Sequence, residues 1–112
     1  MRYALLICGD QSDPVLATSG CGGWTEEMLR RGVLVGGEGL RPPSEATTVR
    51  VRDDEVLLTD GPFTETKEQL AGLCVVECAD LDEAVAVAAA HPAARLGLIE
   101  VRPLWNPPEG AN

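Results

Sequence analysis

The sequence has little positive charge, few aromatic side chains and no long apolar run. Its 112 residues include nine lysines and arginines against 18 aspartates and glutamates, which gives a formal net charge of −9. Nucleic-acid phosphates and anionic membrane surfaces are bound by clustered cations, so neither is an expected partner. No apolar stretch approaches the roughly 20 residues that span a bilayer, so no transmembrane helix is expected.

The sequence also lacks the marks of secretion and of a metal centre. Its opening, MRYALLICGD, has no long apolar core followed by a cleavage site, so we expect a cytoplasmic protein. Four cysteines accompany a single histidine without any C-x-x-C pair, which argues against zinc. Cys8, Cys74 and Cys78 lie in apolar, strand-like runs, whereas Cys21 does not. We therefore expect free cysteines, no metal and no cofactor.

What is present fits one globular domain. Hydrophobic residues make up 45% of a chain too short for two domains. We predict a single domain over residues 1–104 and a frayed tail over residues 105–112. Apolar runs predict strands over 2–8, from 33 until Gly36 and Gly37 break it, over 71–78, and within LGLIEVRPLW.

Two helices and a hairpin complete the pattern. The first helix is predicted over 24–31. The second begins at Asp80 as N-cap, with Glu83 as the capping-box acid, and Pro92 ends it. Its predicted apolar stripe consists of Leu81, Ala84, Val85 and Ala88. Between them ATTVRVRDDEVLLTDG alternates as a hairpin, with its turn at Asp53 and Asp54. Thr47, Val49 and Val51 are predicted to face away from Thr48, Arg50 and Arg52.

The order of elements predicts an α+β, ferredoxin-like split βαβ fold with an inserted β-hairpin. Helices on one side of the sheet leave its other face bare. Both faces of the late strands are substantially apolar, with a few charges among the aliphatic residues. Leu73 and Val75 share a face with Glu77, and Leu98 shares one with Glu100 and Arg102. Since water on one face normally gives a cleaner polar alternation, we expect a second copy of the chain to cover it in a homodimer.

Several motifs resemble a known family. In chain order they are GVLVGGEGL, ATTVRVRD, TDGPFTETKEQLAG, DLDEAVAVAAAHPAAR and IEVRP. The chain resembles the YCII-related family, in the branch named for its DGPF motif. The resemblance implies a dimeric α/β barrel of ferredoxin-like halves and a bacterial origin. For some members it also implies a link to extracytoplasmic-function sigma factors. The His–Asp pocket of the other branch cannot be transferred whole, because its histidine is absent here.

Asp60 and His91 are the candidate catalytic residues. Asp60 opens the DGPF motif, where it either caps nearby backbone amides or acts as a general base or ligand-orienting acid. His91 is the sole histidine, so it either complements a helix C-terminus or performs acid–base chemistry. Gly61 is expected to adopt an unusual backbone angle, and Phe63 either anchors the turn on the core or contacts a ligand.

Four charged residues lie in or beside strands: Glu38, Glu77, Glu100 and Arg102. They either form cross-strand ion pairs around Arg102 as the shared cation, or line a cleft between two copies. The predicted function is a small-molecule-binding or regulatory dimeric domain, with a sigma factor as a further candidate partner. Its predicted ligand residues are Glu38, Asp60, Gly61, Phe63 and Arg102. The alternative is a small acid–base enzyme that uses Asp60, His91 or both.

Overall fold

A computed structural model describes residues 1–9, 23–62 and 69–105. Phe63 and Cys21 lie outside these residues. Four strands form the main sheet in the order β2-β5-β1-β6, and each neighbouring pair is antiparallel. The strands are β1 (Arg2–Gly9), β2 (Leu34–Gly39), β5 (Gln69–Glu77) and β6 (Leu98–Pro103).

Three helices accompany the sheet: α1 (Trp24–Arg30), α2 (Leu81–Ala89) and α3 (Ala93–Leu96). Because α1 connects β1 with β2, and α2 with α3 connects β5 with β6, the strand order is compatible with a ferredoxin-like fold. The predicted α+β class is therefore confirmed. The third helix was not predicted; it follows Pro92, whose φ of −55° is already helical.

The core lies between the sheet and the helices. Along β1 alternate side chains are buried, which places Tyr3, Leu5 and Ile7 on the helix side. Trp24 and Met28 of α1 complete this layer, and the Trp24 indole Nε1 donates a hydrogen bond to the carbonyl of Val87 at 2.9 Å. This bond ties α1 to α2 inside the core.

Helix α2 begins as predicted but turns a different face to the core. The Asp80 carboxylate accepts from the Glu83 backbone N–H at 2.9 Å, and the Glu83 carboxylate accepts from Ala79 N at 3.0 Å. The predicted stripe was wrong at Leu81 and Val85, which are exposed. The buried residues are Ala84, Val87 and Ala88. Both stripes satisfy helical spacing. The observed one contains Val87, whose carbonyl accepts the hydrogen bond from the Trp24 indole.

Two backbone details differ from the expected pattern. Gly36 and Gly37 do not break β2; the strand continues through them with a register shift between Leu34 and Gly36. After α3 the chain passes so close to β1 that a Cβ on Gly97 would lie 2.3 Å from the carbonyl oxygen of Cys8. Only glycine allows this approach, so Gly97 joins α3 tightly to β6.

The hairpin forms a second, separate sheet, which we call the arm. A 3₁₀ turn at Pro43–Glu45 leads into β3 (Thr47–Arg52), which pairs with β4 (Glu55–Asp60). Asp53 and Asp54 form the turn as predicted, and both have positive φ, 53° and 62°. Every residue of β4 is exposed. Within the described chain, the two arm strands pair only with each other.

Candidate functional site

The sheet surface opposite the helices carries two of the five predicted ligand residues, Glu38 and Arg102. We call it the open face. It comprises Ala4, Leu6, Cys8, Glu38, Leu73, Val75, Leu98, Glu100 and Arg102, placed there by strand register. The side chains on its two central strands are only partly exposed, and the side chains on its two edge strands are more exposed. The face therefore has an apolar centre with charged edges.

One row across the open face shows this arrangement. Glu38 pairs with Leu73, Leu73 with Leu6, and Leu6 with Glu100, so the row crosses all four strands. Adjacent strands lie about 4.8 Å apart, which separates the backbones of Glu38 and Glu100 by about 14 Å. Arg102 lies on the Glu100 edge, opposite Ala4. Glu38 and Arg102 thus share a face within one chain but occupy its two opposite edges.

The ion pairs differ from the predicted pattern of a shared cation. Arg102 pairs with Glu100, two residues away on the same strand. Glu77 instead pairs with the N-terminal amino group at 2.6 Å and with Arg2 Nε at 3.4 Å, and the amino group's hydrogen bond lowers the pKa of Glu77. Among the described residues, the Glu38 side chain has neither a hydrogen bond nor an ion pair. Of the two alternatives, cross-strand pairing around Arg102 as the shared cation is therefore not formed among the described residues of one chain.

Asp60 lies at the base of the arm, where β4 ends. It stands opposite Thr47 and is exposed. No hydrogen bond or ion pair joins its carboxylate to any other described residue, and the amides that follow Pro62 lie outside the described chain as far as residue 68. Gly61 has a φ of 96°, as expected for an unusual backbone angle. Its N–H donates to Ala46 O at 2.7 Å, and Thr48 Oγ1 donates to its carbonyl at 2.8 Å, which fixes the arm's base.

The arm is strongly two-faced, a feature that sequence reasoning only partly recognised. Cross-strand pairs place Val49 opposite Leu58 and Val51 opposite Val56, on the face that also carries Asp60. These four side chains form the apolar arm face and are 58, 68, 54 and 61% exposed, respectively. The alternation of both strands predicts that these side chains share a face, but it does not predict that they are exposed to solvent. Thr48, Arg50, Arg52, Glu55, Leu57 and Thr59 form the opposite, mostly polar arm face.

His91 lies in the core between α2 and α3, only 4% exposed. Its Nδ1 accepts from Ala93 N at 2.9 Å, and its ring meets the Trp24 indole edge-on with centroids 4.8 Å apart. Burial lowers its pKa, because the charged imidazolium loses hydration. No hydrogen bond links His91 with Asp60 among the described residues. Their catalytic roles therefore remain predictions, and the geometry here is that of a packing residue.

The other predicted absences concern thiols, metals and membranes. Among the described residues Cys78 forms no disulfide, and burial raises the pKa of its thiol. In the described ranges, no three potential metal-ligating side chains cluster. No helix over these residues is long and apolar enough to cross a membrane. Of the predicted ligand residues, Glu38 and Arg102 share the open face, Asp60 and Gly61 lie at the arm base, and Phe63 is outside the described chain.

Two comparisons with known proteins match nearly the whole chain. A family model described as the YCII-related domain matches residues 1–107. A protein of Rhizobium meliloti (strain 1021), described as uncharacterised, is 46% identical over 123 aligned positions. That alignment covers 93% of this chain and 92% of the relative, so the similarity extends over both proteins.

Proposed function

Because the chain belongs to the YCII-related domain family, we propose that it acts as a homodimer that binds a small molecule between the open faces of its two copies. The binding residues in this proposal are Glu38, Asp60, Gly61, Phe63 and Arg102. The observation that carries it is the open face itself. Ligand sites are mostly apolar with a few placed polar groups, and this face has an apolar centre with charges at its edges.

A two-fold axis parallel to the strands gives this dimer a specific geometry. Rotation about such an axis stacks the β2 edge of one copy over the β6 edge of the other. Glu38, which has no partner among the described residues, then faces the partner's Glu100 in the same row, and the cation within reach is Arg102, two residues or about 7 Å further along that strand. A carboxylate on a covered surface requires a cation or a ligand, so this arrangement satisfies Glu38. It also encloses the cleft that a dimeric α/β barrel contains.

The dimer is tested by mass and the ligand site by thermal shift. Light scattering at micromolar concentration is expected to give twice the chain mass. A library of anionic and neutral metabolites is then screened for compounds that raise the melting temperature. Arg102→Ala is expected to abolish the shift of any hit, whereas Arg30→Ala, an arginine on the exposed surface of α1, leaves it intact. A monomeric mass, or hits indifferent to Arg102, would contradict this proposal.

The regulatory and catalytic versions of this function have their own tests. A regulatory dimer in the cytoplasm is expected to capture an extracytoplasmic-function sigma factor after crosslinking in cells, and capture of none would remove that partner. Turnover of a substrate requires Asp60 or His91 in acid–base roles. If Asp60→Asn and His91→Ala both retained full cellular function, the enzyme alternative would be excluded and ligand binding would stand.

A further inference from the structure

We infer, on the basis of the dimer proposed above, that each arm crosses to the second copy and packs its apolar face against the β6 edge of that copy's open face. Asp60 of one copy is thereby placed at the Leu98 end of the other copy's β6, and the binding site is completed in trans. A site of this kind does not exist in a single chain.

The first reason is the exposure of the arm. An isolated two-stranded hairpin is marginal in water, and a hairpin becomes stable when one face is packed. Here four aliphatic side chains of one arm face, Val49, Val51, Val56 and Leu58, are each more than half exposed. They form a contiguous patch of roughly 300–400 Å², the size at which a monomer's largest apolar patch is often functional.

The second reason is the area that a dimer requires. A stable interface buries about 800 Å² on each partner. On the open face, the central side chains of β1 and β5, such as Leu6, Leu73 and Val75, are already partly covered by their neighbours. Each of the two arms adds its apolar patch to the buried interface area and covers an equal area on the partner copy. The arms therefore supply much of the apolar area that the central strands do not.

The third reason is where the arm begins. The chain leaves β2 at the edge of the sheet, passes the turn at Pro43–Glu45 and enters the arm directly. In the dimer geometry above, that edge faces the partner's β6. Leu98 lies on the open face of that edge strand, where it pairs with Cys8 on one side and is 43% exposed. Six residues of strand extend the arm by about 20 Å, which is enough to lie along that edge.

The position of Asp60 then follows from strand alternation. Positions 56, 58 and 60 share one face of β4, so docking Val56 and Leu58 turns Asp60 towards the partner as well. Asp60 lies at the arm's base, beside the junction of the two copies, rather than at the tip. The cation of the partner's β6 is Arg102, which is exposed and held by Glu100, about 13 Å along that strand from Leu98. A ligand in this junction contacts both copies.

Matched substitutions on β4 test the docking. Leu58→Lys charges the apolar arm face, whereas Leu57→Lys places the same side chain one residue away on the polar face. Sedimentation equilibrium is expected to show the dimer dissociation constant raised at least tenfold by Leu58→Lys and by Val56→Lys. Leu57→Lys is expected to change it less than twofold. Every residue of β4 is exposed, so each variant is expected to keep its fold, which its circular dichroism spectrum checks.

A crosslink distinguishes trans docking from folding back on the same chain. In a Cys8→Ser, Cys21→Ser background, chains with Leu58→Cys are mixed with size-tagged chains with Leu98→Cys and treated with a short bismaleimide. A covalent heterodimer is expected, and Leu57→Cys in place of Leu58→Cys is expected to give little. If the wild type is dimeric but Leu58→Lys leaves its affinity unchanged and no heterodimer crosslinks, arm docking is overturned while the dimer stands. A monomeric wild type instead overturns the proposed function itself.

Discussion

Asp53 and Asp54 form the arm's turn with two consecutive left-handed residues, φ 53° and 62°. Two-residue hairpins with this geometry favour glycine at the second position, since a Cβ there crowds the backbone. We expect Asp54→Gly to stabilise the arm by about 0.5–1 kcal/mol, which slows amide exchange in β3 and β4 about two- to fivefold. Hydrogen exchange followed by NMR measures this. Gly61→Ala, at φ 96°, is the opposite control and is expected to speed exchange.

His91 makes the stability of the core depend on pH. Burial lowers the pKa of His91 in the folded protein, so the unfolded chain binds its proton more readily. The stability that neutral His91 provides is therefore complete above about pH 6.5 and is lost as pH falls below it towards the folded pKa. His91→Asn retains an acceptor for Ala93 N–H but does not titrate there. Urea unfolding between pH 7.5 and 5.5 is expected to show that the free energy of unfolding falls more steeply with decreasing pH in the wild type than in His91→Asn. Equal pH dependence in the two proteins would refute this role.

At the scale of elements, α2 depends on its capping box. The Asp80 carboxylate accepts the Glu83 N–H, which would otherwise lack a partner at the helix N-terminus. We expect Asp80→Ala to lower the free energy of unfolding by about 1 kcal/mol. Asp82→Ala, in the same turn and without a capping bond, is expected to cost less than half as much. Urea denaturation of both variants gives the comparison, and equal losses would show that the cap contributes little.

The elements show which parts of the fold could be predicted from local pattern. The capping box, the two-residue turn and the alternation of the arm depend on neighbours in sequence, and each was predicted at the right residues. The α2 stripe was misplaced, because Leu81 and Val85 fit helical spacing as well as Val87 does. The face that is buried contains Val87, whose carbonyl accepts a hydrogen bond from Trp24, 63 residues away along the chain. Local periodicity contains no such information.

The candidate site has the same limit. Alternation correctly placed Leu73 and Val75 on one face of β5, and Leu98, Glu100 and Arg102 on one face of β6. It could not show that Glu38 lies at the opposite edge from Arg102, because strand order is set by tertiary pairing. Nor could it show that the arm stays apart from the main sheet and keeps Val49 and Leu58 exposed. These two facts are the basis of the proposal that the site is shared between copies.

At the scale of the whole molecule, the open face should control assembly without controlling the fold. Leu73 lies on a central strand of that face, in the row between Glu38 and Leu6. In the proposed dimer its side chain is covered by the second copy, so Leu73→Lys places an ammonium in the apolar interface. Burying an unpaired charge costs at least about 3 kcal/mol, which weakens the dimer by at least about 100-fold.

The matched control is Leu29→Lys on α1. Leu29 is 57% exposed on the helical side, away from the open face. Sedimentation velocity at micromolar concentration is expected to show Leu73→Lys as a monomer and Leu29→Lys as a dimer, with both retaining native circular dichroism. The long side chain of lysine reaches water from the open face of a lone subunit, so the monomer remains folded. Dimers of equal stability from both variants would show that the second copy does not cover the open face, and that its apolar centre is left in contact with water.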